Sequence, residues 1–486
     1  MRSLPRDAGP RRERWIPARV GARVSLLELA AAVRARRVSS EELVRASLER
    51  IGRLNPALNA VIALRAEDAI ADARVIDEEV TAGEDPGPLA GLPLLVKDNE
   101  DAAGMPTTFG SLLRADASPA AADCEAVARL HAAGAVVVGK TNVPEFAFEG
   151  FTTNRLFGDT RNPWAPEWSP GGSSGGSGAA LIAGMAPLAT GTDGGGSVRI
   201  PAAFCGLVGL KPTTGLVGQW PPPSWIELST KGPLATSVAD ARLLLDVLRG
   251  PSAGAPNAAP SWAPRPNAPA RRVLATPRLV AHEEPLSPAL LAAFDAILDT
   301  LETSGGLPVE RIDPPYPTQL DDDWAVMAAV DELTWLGRDV VEARKDEMTE
   351  CLRGAMRFAA RVTLDEYQAA RRRRFAFARL TDELLGEDAV LVSPTMCVEG
   401  FPANGRLAGA GEQGTEGLHY NTQPANTTGH PALSVPAGLS PNGVPFGLQI
   451  TGPRWRDDMV LDLGAMWEAV APWPLAAPDH EPFPVP

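Results

Sequence analysis

Cysteine and histidine are scarce in this sequence. The four cysteines, Cys124, Cys205, Cys351 and Cys397, stand far apart and form no CxxC pair, and the five histidines form no HExxH pattern. A disulfide scaffold needs a denser set of cysteines, and a zinc site needs closely spaced ligands. We therefore expect a reduced, cytoplasmic protein with no metal and no other cofactor.

Long apolar runs and an excess of positive charge are also missing. No uninterrupted apolar stretch reaches the roughly 18 residues that a membrane span requires. The chain has 45 basic and 60 acidic residues and a net charge of −15, whereas binding to a phosphate backbone depends on clustered Lys and Arg. The exception is the arginine-rich segment 1–24, which lacks the apolar stretch of a secretory signal. We expect this segment to be a flexible tail, and we expect neither a membrane nor a nucleic acid as partner.

Helical and strand patterns alternate along most of the 486 residues, which suffice to bury a large core. Ser25 with Glu28, and Ser39 with Glu42, form capping boxes that each open an amphipathic run. The Pro- and Ala-rich segment 251–270 is typical of an extended connection. The alternation predicts an α/β layered architecture around a largely buried sheet. The predicted strands are 59–64, 92–96, 136–138, 188–192, 272–276, 389–393 and 432–437, and the predicted helices are 66–81, 124–133, 174–184, 237–248, 288–304 and most of 320–385.

One segment matches a nucleotide-binding consensus. Residues 134–141 (GAVVVGKT) fit the P-loop pattern letter for letter. A P-loop wraps its backbone N–H groups around phosphates, so the chain between its glycines must bend freely. Here three β-branched valines favour an extended strand, and Pro144 follows too early for a helix. We interpret the segment as a strand followed by a turn.

A second segment, 172–176 (GSSGG), matches the G-x-S-x-G nucleophile elbow. Such an elbow lies between a strand and a helix and needs a histidine downstream. The residues before it (WSPGG) are not a strand, and His430, in a Gly-His-Pro turn, is the downstream candidate. We therefore reject a Ser174–His430 pair as the catalytic centre.

The richest stretch is 171–201, which holds two Gly/Ser clusters separated by one predicted helix and one predicted strand. Ser173 lies in the first cluster and Ser197 in the second. The intervening elements would bring both clusters to one edge of the sheet. Glycines 194–196 tolerate positive φ and close approach, which predicts an oxyanion hole of convergent N–H groups. Flexible linkers have a similar composition, but these clusters bracket the apolar run 179–188 and so belong to the core.

A serine hydroxyl is a poor nucleophile unless a base takes its proton. No histidine lies near either cluster, but Lys97 stands at the end of the apolar strand 92–96. Desolvation favours the neutral amine and lowers a lysine's pKa, so a buried Lys97 could serve as this base. A surface lysine beside Asp98 is equally compatible with the composition.

Several motifs together resemble the amidase signature family of serine hydrolases, closely over about 25–250 and more loosely from about 389. The resemblance implies an α/β/α sandwich with a large mixed sheet flanked by helices. It also implies one catalytic domain over 25–486, with a signature core at about 90–250 and a variable helical substrate region at about 310–420. The matching segments are 91–98, 134–146, 156–163, 171–178, 191–201, 204–213 and 429–438.

What the resemblance implies for the site is a Ser–cis-Ser–Lys triad. Ser197 would be the nucleophile, Ser173 the bridging serine after a cis peptide bond from Gly172, and Lys97 the terminal base. The implied oxyanion donors are the backbone amides of Gly194, Gly195, Gly196 and Ser197. The implied supporting residues are Ser174, Asp193 and Arg199, and the implied substrate-binding residues are Ala147, through its carbonyl, Phe148 and Gly172.

Aromatic residues follow the matching segment 204–213. Trp220, the run 221–223 and Trp225 are candidates for the entrance of a substrate pocket, although core packing explains each tryptophan as well. This content favours a neutral, hydrophobic or aryl amide, and we expect a monomer or homodimer. Two alternatives stay open: hydrolysis of carbamates (urethanes) or esters with the same triad, and the A subunit of a glutamine-dependent tRNA amidotransferase.

Overall fold

The computed structural model describes residues 24–255, 257–259, 268–405 and 421–484. The basic segment 1–23, part of the Pro- and Ala-rich connection and residues 406–420 of the predicted substrate region lie outside the described residues. The predictions for those segments therefore remain predictions.

An 11-stranded sheet forms the centre of the fold, with the strand order β1-β3-β2-β4-β8-β6-β12-β13-β11-β9-β10, and β5 and β7 form a separate pair. The sheet is mixed: β2 runs parallel to β3 and β4, and β9 runs parallel to β10 and β11. The other neighbours are antiparallel. The strands are β1 Val61–Leu64, β2 Pro93–Lys97, β3 Val136–Thr141, β4 Leu188–Ala189, β5 Thr192–Asp193, β6 Val208–Lys211, β7 Thr230–Lys231, β8 Leu234–Ala235, β9 Arg272–Ala275, β10 Val309–Arg311, β11 Ala389–Pro394, β12 Ala432–Leu439 and β13 Pro445–Thr451.

Both faces of the sheet are covered. Along β2, Leu94 and Val96 belong to one apolar core, whereas Leu95 belongs to the core on the opposite face, as expected for side chains that alternate along a strand. Within the described residues, the helices are α1 Leu26–Arg34, α2 Ser40–Leu58, α3 Ala66–Ala82, α4 Glu125–Ala132, α5 Gly175–Ile182, α6 Arg199–Cys205, α7 Val238–Leu248, α8 Pro288–Thr303, α9 Gln319–Leu336, α10 Arg338–Arg344, α11 Glu350–Ala359, α12 Leu364–Leu385, α13 Gln423–Thr428 and α14 Asp457–Val470.

These layers confirm the predicted α/β fold with a large mixed sheet flanked by helices. Both predicted capping boxes are present, at Ser25 and at Ser39. In the described part of the chain, no helix combines the length and the apolar character needed to cross a bilayer. The segment 134–141 that resembles a P-loop contains the fully buried strand β3, as its valines predict.

The structure corrects the elements around the two Gly/Ser clusters. The predicted strand 188–192 is divided, because β4 stays in the main sheet while β5 pairs with β7. The predicted helix 174–184 is shorter, since α5 ends at Ile182. After the second cluster, helix α6 begins at Arg199, two residues beyond Ser197. Strand β13 and helix α14 were not predicted.

Candidate active site

The residues of the predicted triad lie at the end of one strand and just before two helices, at one edge of the sheet. Lys97 is the last residue of β2, Ser173 lies two residues before α5, and Ser197 lies two residues before α6. The two Gly/Ser clusters are joined by their backbones, because the Ser174 N–H donates to the Ser197 carbonyl at 3.1 Å. Ser173 and Ser197 both line the same cavity. The peptide bond between Gly172 and Ser173 is cis, as the family resemblance implies.

Lys97 is completely buried, so it is not the surface lysine that the composition left open. Its Nζ lies 2.8 Å from Ser173 Oγ and 2.7 Å from Thr192 Oγ1. Burial lowers its pKa to about 7, because a desolvated ammonium loses its hydration. A substantial fraction of the amine is therefore neutral near pH 7.

The surroundings of Nζ suit a neutral amine, which has two N–H donors and one lone pair. Thr192 supplies two acceptors, its Oγ1 at 2.7 Å and its carbonyl at 3.5 Å. The lone pair is then left for the hydroxyl hydrogen of Ser173, since a serine hydroxyl both donates and accepts. Asn99 Nδ2 also donates to Thr192 Oγ1, at 3.1 Å. Sequence reasoning missed Thr192, because a threonine at the end of a predicted strand carries no distinguishing signal.

The glycine loop 194–196 is fixed through its carbonyls. Trp324 Nε1 donates to the Gly194 carbonyl at 2.9 Å, and Thr422 Oγ1 donates to the Gly195 carbonyl at 2.6 Å. Because the C=O and N–H of a trans peptide point in opposite directions, the Gly195 N–H points away from Trp324. The Gly196 N–H donates to Asp193 Oδ1 at 2.8 Å. Of the four amides predicted as oxyanion donors, the Gly196 N–H is therefore already used by Asp193. The N–H groups of Gly194, Gly195 and Ser197 do not donate to this carboxylate.

Beneath the loop lies a buried ion pair between Asp193 and Arg199. Arg199 Nε and Nη2 donate to the two carboxylate oxygens at 2.9 and 2.8 Å. Burial alone would raise the pKa of Asp193, but the guanidinium overcomes this and holds the pKa well below its usual range. Arg199 also donates to Gln449 Oε1 at 2.8 Å and to Asn426 Oδ1 at 2.6 Å. Ser174, the third predicted supporting residue, donates to the Thr192 carbonyl at 3.4 Å.

The cavity in front of the two serines has a volume of about 220 Å³. Of the three predicted substrate-binding residues, Ala147 lines it, whereas Phe148 and Gly172 are not among its described lining residues. The Phe148 ring packs edge-on against Trp225, with centroids 5.3 Å apart. Gly172 is enclosed by backbone, because a Cβ there would lie 2.6 Å from the Glu149 carbonyl oxygen.

The lining of the cavity includes an aromatic set and a polar set of residues, which we call the aromatic wall and the polar wall. Trp220, the prolines 221–223 and Trp225 all line it, as the sequence predicts for an entrance, together with Phe109, Phe146 and Trp335. The polar wall consists of Asn99, Glu100, Asp101, Arg114, Cys124, Ser224, Ser229 and Lys231. Aromatic residues that line the same cavity as Ser173 and Ser197 favour an apolar ligand group.

The rejected candidate base, His430, is engaged elsewhere. Its Nδ1 lies 3.0 Å from Thr428 Oγ1 and its Nε2 lies 3.2 Å from Asp382 Oδ1. Burial lowers its pKa. These contacts are those of a structural histidine.

Fold and site together define an enzyme-like α/β protein with a buried lysine and two adjacent serines. A protein-family model described as "Amidase" matches residues 42–461. The chain therefore belongs to the amidase family, in agreement with the resemblance found in the sequence.

Relatives from the same comparisons extend this result. The chain is 36% identical over 470 residues to an acylamidase from Rhodococcus erythropolis, covering 93% of this chain and 96% of that protein. It is also 36% identical over 488 residues to the A subunit of a glutamyl-tRNA(Gln) amidotransferase from Acidothermus cellulolyticus, covering 92% and 94%. A solved bacterial aryl acylamidase of the amidase signature family superimposes with a TM-score of 0.82 at 28% identity, covering 92% and 96%. Family and relatives support hydrolysis of amides as the class of reaction.

Proposed function

We propose that this protein is a serine hydrolase that cleaves carboxylic amides through an acyl-enzyme on Ser197. The observation that carries the proposal is the buried contact of 2.8 Å between Lys97 Nζ and Ser173 Oγ. A lysine whose pKa is lowered to about 7 by burial is a competent general base at neutral pH.

In the acylation step, neutral Lys97 takes the proton of Ser173, and Ser173 takes that of Ser197. The Ser197 oxygen then bonds to the substrate carbonyl carbon, and the carbonyl electrons move onto its oxygen. The amides of Gly194, Gly195 and Ser197 would hold this oxyanion. As the intermediate collapses, the C–N bond breaks and Ser173 delivers a proton to the leaving nitrogen, regaining one from Lys97.

Water completes the cycle by the same relay. Ser173 and Lys97 deprotonate the water as it attacks the ester carbonyl, and Ser197 leaves with a proton. The products are the carboxylic acid and the free enzyme, with one water consumed.

The aromatic wall supports a neutral, hydrophobic or aryl substrate. Phe109, Phe146 and Trp335 pack with ring centroids 5.3 to 5.9 Å apart, which leaves apolar surface beside the serines. The acylamidase and aryl acylamidase names of two similar proteins agree with this substrate class. Carbamates and esters present the same acyl carbon, so turnover of both belongs to the proposal as a side activity.

A second candidate, the A subunit of an amidotransferase, is favoured by the likeness to such a protein over most of both chains. The two candidates make different demands on the isolated chain. A stand-alone hydrolase turns over a simple anilide by itself, whereas an amidotransferase component depends on glutamine and on partner chains.

The test compares Ser197→Ala with Ser118→Ala, a substitution of an exposed serine outside the cavity. We expect Ser197→Ala to lose both anilide hydrolysis and labelling by a fluorophosphonate, and Ser118→Ala to keep both. A panel of an anilide, a p-nitrophenyl carbamate, a p-nitrophenyl ester and glutamine then ranks the substrates. Labelling that persists in Ser197→Ala would refute the assignment of the nucleophile.

A further inference from the structure

An ion pair in the polar wall of the cavity takes no part in the reaction described above. Lys231 Nζ lies 3.1 Å from Glu100 Oε1, and the Glu100 side chain is fully buried while that of Lys231 is 15% exposed. Among the described residues, neither carboxylate oxygen of Glu100 accepts a hydrogen bond of normal geometry. Lys231 is the cation that forms an ion pair with this buried carboxylate.

A buried ion pair is a weak source of stability, because desolvation offsets the attraction between its charges. An apolar pair of similar volume would fill the same space at no such cost. Stability alone therefore does not explain the two charges, and we look for a role that depends on charge.

Each residue of the pair is linked to Lys97, Glu100 by a backbone hydrogen bond and Lys231 through its strand partner Thr192. On one side, the Glu100 N–H donates to the Lys97 carbonyl at 3.0 Å in a turn that follows β2. On the other side, Lys231 of β7 lies in register with Thr192 of β5. Side chains of paired residues lie on the same face of a ladder, and Thr192 Oγ1 is the acceptor for Lys97 Nζ. Glu100 and Lys231 thus approach the catalytic amine from two different elements.

The two charges act on Lys97 with opposite signs. Burial is the main cause of its lowered pKa; Glu100 counteracts this effect, Lys231 adds to it, and Asp193 counteracts it as well. The other titratable groups that act on the ion pair are Asp101, Cys124 and Lys140, and Lys140 Nζ also donates to the Glu100 carbonyl. A neighbouring cation that keeps a lysine neutral is an established way to activate an amine.

We propose that Glu100 and Lys231 are positioning residues that set the charge of Lys97 by opposing each other. Their joint presence keeps the amine near the balance between its two protonation states, while neither residue touches the reacting atoms. This inference rests on the proposed role of Lys97 as the general base.

The test uses two variants that keep a hydrogen-bonding group at each position. Glu100→Gln removes the negative charge but keeps a polar oxygen at position 100, and Lys231→Gln removes the positive charge but keeps a polar N–H group at position 231. Lys231→Arg keeps the charge and serves as the control. For each variant, kcat/KM for a neutral anilide and the rate of fluorophosphonate labelling are measured across pH, and thermal unfolding establishes that the protein is folded.

In the unsubstituted protein, activity should rise with pH through about 7, because Lys97, whose pKa is lowered to about 7, acts when neutral. We call this rising part of the pH profile the limb. Glu100→Gln removes a charge that favours the ammonium, so the limb should move to lower pH by about one unit. Lys231→Gln removes a charge that disfavours the ammonium, so the limb should move to higher pH by about the same amount. The double variant Glu100→Gln/Lys231→Gln and Lys231→Arg should both return the limb close to its original position.

Limbs that stay in place in the folded single variants, or that move in the same direction, would overturn the inference. So would a raised KM with an unmoved limb, since it would assign Lys231 to substrate contact. If one single variant does not fold, the other still tests the inference, because the direction of the pH shift is predicted separately for each variant. Failure of the proposed function has a separate signature, namely a Lys97→Ala variant that keeps full activity at neutral pH.

Discussion

At the scale of single residues, the site depends on how each polar group around Lys97 is partnered. The lone pair of a neutral lysine points in a defined direction only when both N–H groups of the amine are held by acceptors. Thr192 accepts both, and its hydroxyl also accepts from Asn99. Thr192 therefore orients the lone pair of Lys97 toward Ser173.

This orientation can be tested with Thr192→Val, which keeps the shape of the side chain and removes its hydroxyl. An N–H of Lys97 would then be buried without an acceptor, at a cost of about 1–3 kcal/mol. We expect kcat/KM to fall by about 5- to 160-fold, which is the same energy expressed as a rate. Thr192→Ser restores the hydroxyl and should recover most of the activity. Equal losses in both variants would contradict the role of the hydroxyl.

The sequence alone reached the three triad residues but not their environment. Lys97 ends an apolar strand, and this position made it a candidate base. Whether it was buried could not be predicted, because a lysine followed by an aspartate is also typical of a surface. The structure shows that its buried amine contacts Ser173 and Thr192, which lie 76 and 95 residues away in the chain.

At the scale of elements, the glycine loop 194–196 is shaped by two tryptophans. A Cβ on Gly194 would lie 2.6 Å from the Trp225 ring, and one on Gly195 would lie 2.5 Å from the Trp324 ring. The two rings pack edge-on with centroids 5.5 Å apart. The loop is therefore held close against a rigid aromatic surface that also supports the cavity wall.

Gly195→Ala is expected to displace the loop, since a ring is less able to give way than a flexible side chain. Donor positions that move by a fraction of an ångström lose oxyanion stabilisation, so we expect kcat to fall by about 100-fold with a smaller change in KM. Gly52→Ala is the matched control, because a Cβ at Gly52, within α2, would meet no atom within 4 Å. The control should keep its activity and gain up to about 1 kcal/mol of stability. An active Gly195→Ala would show that the loop tolerates a side chain.

The division of the predicted strand 188–192 illustrates why elements near the site were mispredicted. Its apolar residues suit one continuous strand, and Gly191 is the single local sign of a break. The break exists because β5 pairs with β7, which lies 38 residues further along the chain. Short-range patterns contain no information about such a partner.

At the scale of the whole molecule, Arg199 joins segments that are distant in sequence. It contacts Asp193 in the signature core, Thr422 and Asn426 near α13, and Gln449 of β13. The C-terminal part of the chain thus supports the segment that carries Ser197.

Arg199→Met should destabilise the protein by about 3–5 kcal/mol, because it leaves Asp193 buried and unpaired. Arg311→Met is the matched control, since Arg311 and Asp295 form an exposed ion pair at 2.8 Å, which is worth about 1 kcal/mol or less. Both are measured by chemical unfolding. The Asp193 pKa is held below its unfolded value, so the stabilisation is present above that value and is lost as the pH falls. A loss in Arg199→Met no larger than that of the control would contradict this account.

For the molecule as a whole, the sequence was sufficient for the fold class and for most elements up to β3. The dense motifs of the first half explain this success, because each carries its own local signal. The contacts of Trp324 and Thr422 with the glycine loop, and of Asn426 with Asp193, were not predictable. They arise from packing across 130 to 230 residues of chain, and the residues involved have ordinary surroundings in the sequence.

The dependence of Arg199 on Asn426 and Gln449 has a consequence for synthesis of the protein. In a nascent chain, Lys97, Ser173 and Ser197 are made within the first 200 residues, long before Asn426 and Gln449 leave the ribosome. We therefore expect newly made chains to stay inactive until β13 has joined the sheet.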